Sequence, residues 1–409
     1  MKKCIVAQSG GPTPVINSSL CGVISQASES KYYDKVYGGL NGIEGILNEK
    51  ITELSQLSGS DIDRLKYTPA SALGSCRYKL KNISDNNEEY DKFFTIMDKF
   101  DIDDFFYIGG NDSMDTVSKL SSYAKEHSIS KNIIGIPKTI DNDLMITDHC
   151  PGYGSAAKFI AMSVLETYLD SSVYSDNGVF ILETMGRDTG WLSASAAMAQ
   201  INDENVVDYL YLPEKAFNID NFLQDIEKKY KEKKHVYVVV SEGIKDANGN
   251  FVAQMNSAIQ HDKFGHAQLG GAASFLSSLI KKHKITRRVK SLELGVLQRC
   301  GMHISSSTDV EEAFKAGVSA VNYASEGSTG SMVYMKRLSD DPYEIKFALT
   351  DVNNVCNKVK YFPANWINDR GNFINEDALS YIKPLISDNN SINLPNYFCI
   401  DKSNLIIGC

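Results

Sequence analysis

Short apolar runs separated by amphipathic stretches set the rhythm of this chain. Runs at 3–8, 104–109, 132–136, 178–183, 235–241 and 291–297 are rich in Val, Ile, Leu and Phe, as expected of strands in sheets covered on both faces. Helical periodicity fills the intervals: 14–27 carries Val15, Leu20, Val23 and Ile24 on one side, and 113–125 carries Met114, Val117 and Leu120. Strand and helix in alternation predict an α/β fold of two Rossmann-like lobes with mostly parallel sheets and the active site in the cleft between them. A helix over 311–324 leads to strands at 331–336 and 343–350, parted by the turn Asp340-Asp341-Pro342. The pattern breaks near 145–155, where Pro151, Gly152 and Gly154 follow Asp148-His149-Cys150. The expected division is a first lobe of 1–146 plus about 301–350 and a second of 147–300 plus 351–409. No internal repeat is present, and the residues after 350 show only turns such as Asn389-Asn390.

Composition narrows the function. At 409 residues and 43% apolar content, the chain can bury two cores. Its net charge of -9 with dispersed Lys and Arg excludes a surface that tracks a nucleic-acid backbone. Eight scattered cysteines, without C-x-x-C or zinc-type spacing, read as buried thiols. Met1-Lys2-Lys3 runs straight into a strand pattern, and no apolar stretch is long enough to span a bilayer. The expectation is a cytoplasmic enzyme with neither a nucleic-acid nor a membrane partner.

Polar residues cluster where the apolar runs stop. Ser9-Gly10-Gly11-Pro12-Thr13-Pro14 follows the first run and opens a helix, so its amides could hold a phosphate or simply form a tight turn. Gly109-Gly110-Asn111-Asp112-Ser113 offers oxygens to a divalent cation, while Asp112 or Ser113 is an equally good helix cap. Pro137-Lys138-Thr139-Ile140-Asp141-Asn142-Asp143 puts two carboxylates and an ammonium at a strand tip, the position α/β enzymes use for chemistry. Met185-Gly186-Arg187, Ser241-Glu242-Gly243 and Gln298-Arg299 end three further runs, and Arg77 lies in the turn Leu73-Gly74-Ser75-Cys76. Gly152-Tyr153-Gly154-Ser155-Ala156-Ala157 spells a dinucleotide fingerprint, but no strand precedes it, so it reads as a helix start with small residues for close packing.

In this order, these segments resemble the phosphofructokinase family over nearly the first 310 residues. The family's S-G-G, G-G-D-G-S, T-I-D-N-D, M-G-R, S-E-G and L-G-x-x-Q-R all have counterparts here. The resemblance implies a phosphotransferase with Asp141 as general base toward the C1 hydroxyl of fructose 6-phosphate and Thr139 positioning that hydroxyl. It further implies Gly11 as an amide donor to the phosphoryl donor, and Arg77 and Lys138 as charge stabilisers. Met185, Gly186, Arg187 and Glu242 would line the sugar, Arg299 would bind its 6-phosphate, and Asn111 and Asp143 would hold Mg²⁺. Asp112 and Lys138 stand where ATP-dependent members usually have glycine, which points to the pyrophosphate-dependent branch, because a carboxylate at 112 would repel a nucleotide α-phosphate.

Departures mark the 6-phosphate pocket. Gly178 and Val296 replace the usual arginine and imidazole or aromatic donors, which leaves Arg287, Arg288 or Lys290 as substitutes, in part from a neighbouring subunit of a homodimer or homotetramer. The competing expectations are an ATP-dependent 6-phosphofructokinase and a catalytically silent regulatory subunit of the same fold.

Overall fold

A computed structural model describes residues 1–84, 87–256 and 270–387; the Asn389-Asn390 turn lies outside the described residues. The first part of the chain runs β1 (Lys2–Gln8), α1 (Ile16–Glu29), β2 (Tyr33–Gly39), α2 (Gly42–Leu47), β3 (Ile51–Glu53), α3 (Gly59–Lys66), α4 (Glu88–Lys99), β4 (Asp104–Gly109), α5 (Asn111–Glu126) and β5 (Asn132–Pro137). Then follow α6 (Tyr153–Ser171), β6 (Gly178–Thr184), α7 (Trp191–Ala194), the short ribbon β7 (Gln200–Ile201) and β8 (Glu204–Asn205), β9 (Tyr209–Tyr211), α8 (Ile219–Lys233), β10 (His235–Ser241), α9 (Ala272–Lys282) and β11 (Val289–Glu293). The last described elements are α10 (Ser307–Ser325), the hairpin β12 (Ser331–Asp340) and β13 (Tyr343–Asp351), and α11 (Glu376–Ile382).

Two sheets result. One has the order β13-β12-β5-β4-β1-β2-β3 and is parallel except at its edges, where β13 and β3 pair antiparallel. The other, β11-β6-β10-β9, is parallel throughout. The continuous apolar runs follow from burial on both faces. Ile5, Ala7, Phe105 and Tyr107 turn toward α4 and α5, while Cys4, Val6, Phe106 and Ile108 turn toward α1 and α10, the two-residue period of a pleated strand. In the smaller sheet, Phe180, Leu182, Tyr237 and Val239 face α6 and the C-terminal residues Phe362 and Leu379, and Val179, Ile181, Val236 and Val238 face α8 and α9. Each Val, Ile, Leu or Phe among them taken fully out of water contributes roughly 1.5–3 kcal/mol.

The predicted strands hold with one correction. The run at 291–297 is strand only over Val289–Glu293 and then coils into a 3₁₀ turn, Gly295–Arg299: Leu294 has already turned to helical φ and ψ of -69° and -27°, and Gly295 follows with a φ of 51°. The exposed Cys300 does not meet the expectation of buried thiols. The expected helices start and stop within a few residues of their predicted ends. Neither Asp112 nor Ser113 caps α5; Gly110 occupies the N-cap and both residues lie in the first turn. At the decoy dinucleotide fingerprint, Asp309 of α10 accepts the N–H groups of Gly152 and Ser155, each at 2.9 Å, so a carboxylate of the chain already fills that helix N-terminus.

Helices α1 and α10 make their closest approach at two glycines. A Cβ on Gly22 would stand 2.0 Å from the Phe314 carbonyl oxygen, and one on Gly317 would stand 2.2 Å from that of Ser19. Gly22→Ala therefore pushes the helices apart and is expected to lower stability by about 1–3 kcal/mol. Gly59→Ala, with open space around it, should change stability by no more than about 0.5 kcal/mol. Urea midpoints at constant m-value check both, and equal midpoints for the two variants would show that the crossing is looser than this.

Candidate active site

Parallel register brings the polar turns to one place. Gln8 pairs with Ile108, and Gly109 with Pro137, so the turns after β1, β4 and β5 leave the same edge of the larger sheet. Thr184 pairs with Ser241, and Glu183 with Glu293, so the turns after β6, β10 and β11 leave a common edge of the smaller one. The two edges face each other across a cavity of about 560 Å³ lined by Gly11, Arg77, Asn111, Asp112, Lys138, Thr139, Asp141, Asp143, Met185, Arg187, Glu242 and Arg299. These are nearly all of the residues singled out from sequence.

Cations surround the first turn. Lys138 is buried, and its Nζ donates to the Gly11 carbonyl at 2.6 Å; it stands 3.2 Å from where a Cβ on Gly10 would be. Arg299 Nη1 lies 3.2 Å from where a Cβ on Gly11 would be. Any side chain at these two positions would intrude on the basic groups. Arg77 lies on the same wall, after a turn in which Ser75 Oγ donates to the Gly10 carbonyl at 2.6 Å. Two lysine or arginine side chains converging on one glycine loop, with a third alongside, suit a polyanion. Desolvation lowers the Lys138 pKa to about 8, with Asp141 and Asp143 opposing the fall and Arg299 adding to it.

Two carboxylates, Asp141 and Asp143, line the same cavity near Lys138. Asp141 N–H donates to Thr139 Oγ1 at 3.1 Å, and the Asp141 carbonyl accepts from Thr189 Oγ1 at 3.1 Å, which ties the turn to the smaller lobe. Asn142 adopts a left-handed φ of 54°, a conformation asparagine tolerates better than most residues. Desolvation, then the neighbouring charges of Asp143 and Glu242, raise the Asp141 pKa. Desolvation also raises that of Asp143. A carboxylate raised toward neutrality is a stronger base and is suited to accepting a hydroxyl proton. Across the cavity, Gly186 N–H donates to Glu242 Oε1 at 3.2 Å, which fixes that carboxylate beside Arg187.

Several expectations need correction. Lys290 does not line the cavity: it is the second residue of β11, about 10 Å of strand from the cleft edge, and its ammonium pairs with Asp170 at 3.5 Å. Gly178 sits at the opposite end of β6, where a Cβ would meet the Arg288 carbonyl oxygen at 2.0 Å, so local packing leaves no room for an arginine there. Arg288 stacks over Tyr174 instead of facing the cleft. Arg299, expected at a 6-phosphate, does line the cavity, with its Nη1 close to the Gly11 turn. Asn111 is committed to the chain: its Oδ1 accepts from Asn357 N–H at 2.5 Å and its Nδ2 donates to the Lys358 carbonyl. That Oδ1 thus has one of its two lone pairs taken by the chain. Gly186 is one residue off the lining but shapes it through Glu242.

Sequence reading gave no role to four contributors. Thr189 reaches the Asp141 turn, Gln298 Oε1 holds the Met185 N–H at 3.2 Å, and Asn357 and Val359 form part of the wall. Gln298 was visible within its motif. The others carry no local signal.

These features suit a phosphoryl-transferring α/β enzyme, with basic and acidic strand-end groups of two sheets gathered around one cleft. The chain belongs to the phosphofructokinase family, whose sequence model, described as Phosphofructokinase, matches residues 3–324. It is 42% identical over 384 residues to a pyrophosphate–fructose 6-phosphate 1-phosphotransferase of Xanthomonas campestris, which covers 93% of this chain and 91% of that one. It is 40% identical over 390 residues to a protein of the same name from Methylococcus capsulatus, covering 94% and 91%. The crystal structure of a pyrophosphate-dependent phosphofructokinase from Nitrosospira multiformis superposes with a TM-score of 0.84 at 36% identity, covering 94% of this chain and 92% of that one. Among the described residues, no helix is long and apolar enough to cross a membrane.

The lowered Lys138 pKa has a measurable consequence. Its ammonium is lost as pH rises through about 8, and the Asp141 carboxylate gains a proton as pH falls through its raised pKa. The pH profile of kcat/KM should therefore be bell-shaped with its alkaline limb near 8. In Lys138→Arg that limb should disappear from the accessible range, because a guanidinium keeps its proton; an unmoved limb would assign it to another group.

Proposed function

We propose that the cleft transfers phosphate reversibly between pyrophosphate and the C1 hydroxyl of fructose 6-phosphate, giving fructose 1,6-bisphosphate and phosphate. The observation that carries this reading is the placement of Asp112 and Lys138 on the donor side of the cavity. Asp112, in the first turn of α5, projects a half-exposed carboxylate into the lining, 4.0 Å from Lys79 Nζ. A nucleotide chain leaving the donor site past α5 would bring its α-phosphate against this negative charge. Pyrophosphate ends before that point. The relatives named for pyrophosphate as donor support the same choice.

In the forward direction, Asp141 takes the C1 hydroxyl proton, with Thr139 orienting that hydroxyl. The C1 oxygen attacks one phosphorus of pyrophosphate, the bridging P–O bond breaks, and phosphate leaves with the electron pair of that bond. Gly11 offers its amide to the donor, and Lys138, Arg77 and Arg299 stabilise charge on the transferring and departing groups. Met185, Arg187 and Glu242 bound the sugar, with Gly186 fixing Glu242. Lys290 would reach a sugar phosphate only across a subunit contact in a homodimer or homotetramer.

A divalent cation fits part of this arrangement. The desolvated Asp143 carboxylate lines the cavity and supplies the hard oxygen that Mg²⁺ prefers, whereas the Asn111 amide is already bonded. No group of three or more ligating side chains occurs among the described residues, so the remaining ligands would be phosphoryl oxygens and water, the usual mode for Mg²⁺. When bound, the cation would neutralise charge on pyrophosphate.

Two experiments test the reading. Purified protein assayed side by side should turn over with pyrophosphate and fail with ATP, and the opposite outcome would make it an ATP-dependent enzyme. Asp141→Asn should fold normally and lose roughly 10²–10⁴-fold in kcat, the range for a general base. A variant with near-normal turnover removes Asp141 from that role, and a parent protein inactive with either donor would favour the catalytically silent subunit.

A further inference from the structure

Residues 357–362 cross behind the catalytic turn, beyond the stretch matched by the family sequence model. Asn357 and Val359 face the cavity, but Lys360 does not. Its side chain turns the other way, into the 141–148 loop. There Lys360 Nζ donates to Asn142 Oδ1 at 3.3 Å, to the Thr147 carbonyl at 3.1 Å and to the Asp148 carbonyl at 2.8 Å. Its backbone N–H donates to the Asp143 carbonyl at 2.8 Å, and its own carbonyl accepts from Trp191 Nε1 at 2.9 Å.

We infer that Lys360 is a positioning residue for the general base: its ammonium and peptide group clamp the Asp141-Asn142-Asp143 turn from behind, so that both carboxylates face the cleft. The inference rests on the reading of Asp141 as the base. The turn needs such a clamp because it forms neither helix nor strand and passes through a left-handed Asn142. Asn142 is fully buried. Its Oδ1 receives the Cys150 N–H at 3.0 Å as well as the lysine, and its Nδ2 donates to Tyr381 Oη at 2.9 Å. Tyr381 Oη in turn donates to the Asp148 carbonyl at 2.6 Å. Three oxygens thus converge on one cation, and no uncharged side chain of that length supplies three donors. The ammonium also lies 5.1 Å from the Trp191 ring centroid, within cation–π range. Trp191 belongs to the smaller lobe, so the clamp joins the base to the acceptor side of the site. Desolvation lowers the Lys360 pKa while Cys150, Asp148 and Asp143 act to raise it, which fits a cation enclosed among these groups.

Lys360→Met keeps the stem against Trp191 and removes every side-chain donor. Measured with pyrophosphate and fructose 6-phosphate, kcat should fall on the order of 10²-fold, the effect of a misplacement of about 1 Å. KM for both substrates should stay within about threefold, because Lys360 does not touch the cavity. Tyr381→Phe, a smaller change to the same clamp, should lower kcat by about tenfold with KM unmoved, and it serves as the test if Lys360→Met does not fold. A folded variant with kcat within twofold of the parent, or with its whole loss in KM, overturns the inference. Asp141→Asn run alongside separates the causes: if it too keeps full activity, the base assignment fails, whereas if it is inactive while Lys360→Met is not, only the clamp fails.

Discussion

The ammonium of Lys138, held against the Gly11 carbonyl and stripped of most of its water, is the interaction on which the site depends. A desolvated cation beside two desolvated carboxylates is poised between states: each group's charge is stabilised by the other's and opposed by burial. Lys138 therefore couples electrostatically to both carboxylates and to the Gly10-Gly11 turn. That arrangement requires the turns after β1 and β5 to lie side by side, which only a parallel pairing through β4 provides.

Behind the catalytic turn, a second set of charges joins the parts of the molecule. Asp148 pairs with Arg337 at 2.9 Å and with His149 at 2.8 Å, and His149 reaches Glu312 at 2.6 Å, which in turn accepts from Tyr343 Oη at 2.7 Å. Although desolvation opposes it, Glu312 and Asp148 raise His149 to about 9; against the same penalty, His149 and Arg337 hold Asp148 down at about 2. This network connects the loop after β5 to α10 and to the β12–β13 hairpin, so the edge of the larger sheet supports the active site indirectly. Its members are paired and hydrogen-bonded, the condition under which buried charges are tolerated.

Much of this was legible along the chain. Continuous apolar runs announced strands buried on both faces, and glycine with acidic or basic residues at their ends announced turns with chemistry, as at Gly10-Gly11, Lys138 and Asp141. These are local signals: a strand's face and a turn's backbone demand are set by neighbours in sequence. Cavity-lining residues such as Arg187, Glu242 and Arg299 were found the same way. What the sequence could not give was direction and company. Lys290 carries a suitable charge on the wrong part of its strand, Arg299 comes out beside the Gly11 turn, and the Asn111 amide is bonded by a segment some 246 residues away in sequence.

By itself, then, the sequence determined the kind of fold, the placing of chemistry at strand ends, and the acid and ammonium that favour a compact anionic donor. Tertiary structure alone decided which strand ends meet, which face of Asn111 and Arg299 is available, and that residues 357–360 form a wall and a clamp. The physical reason is that apolar periodicity and turn chemistry depend on short-range sterics and solvation. Hydrogen bonds such as Lys360 to Thr147 and Asp148 join groups whose proximity depends on the path of the whole chain.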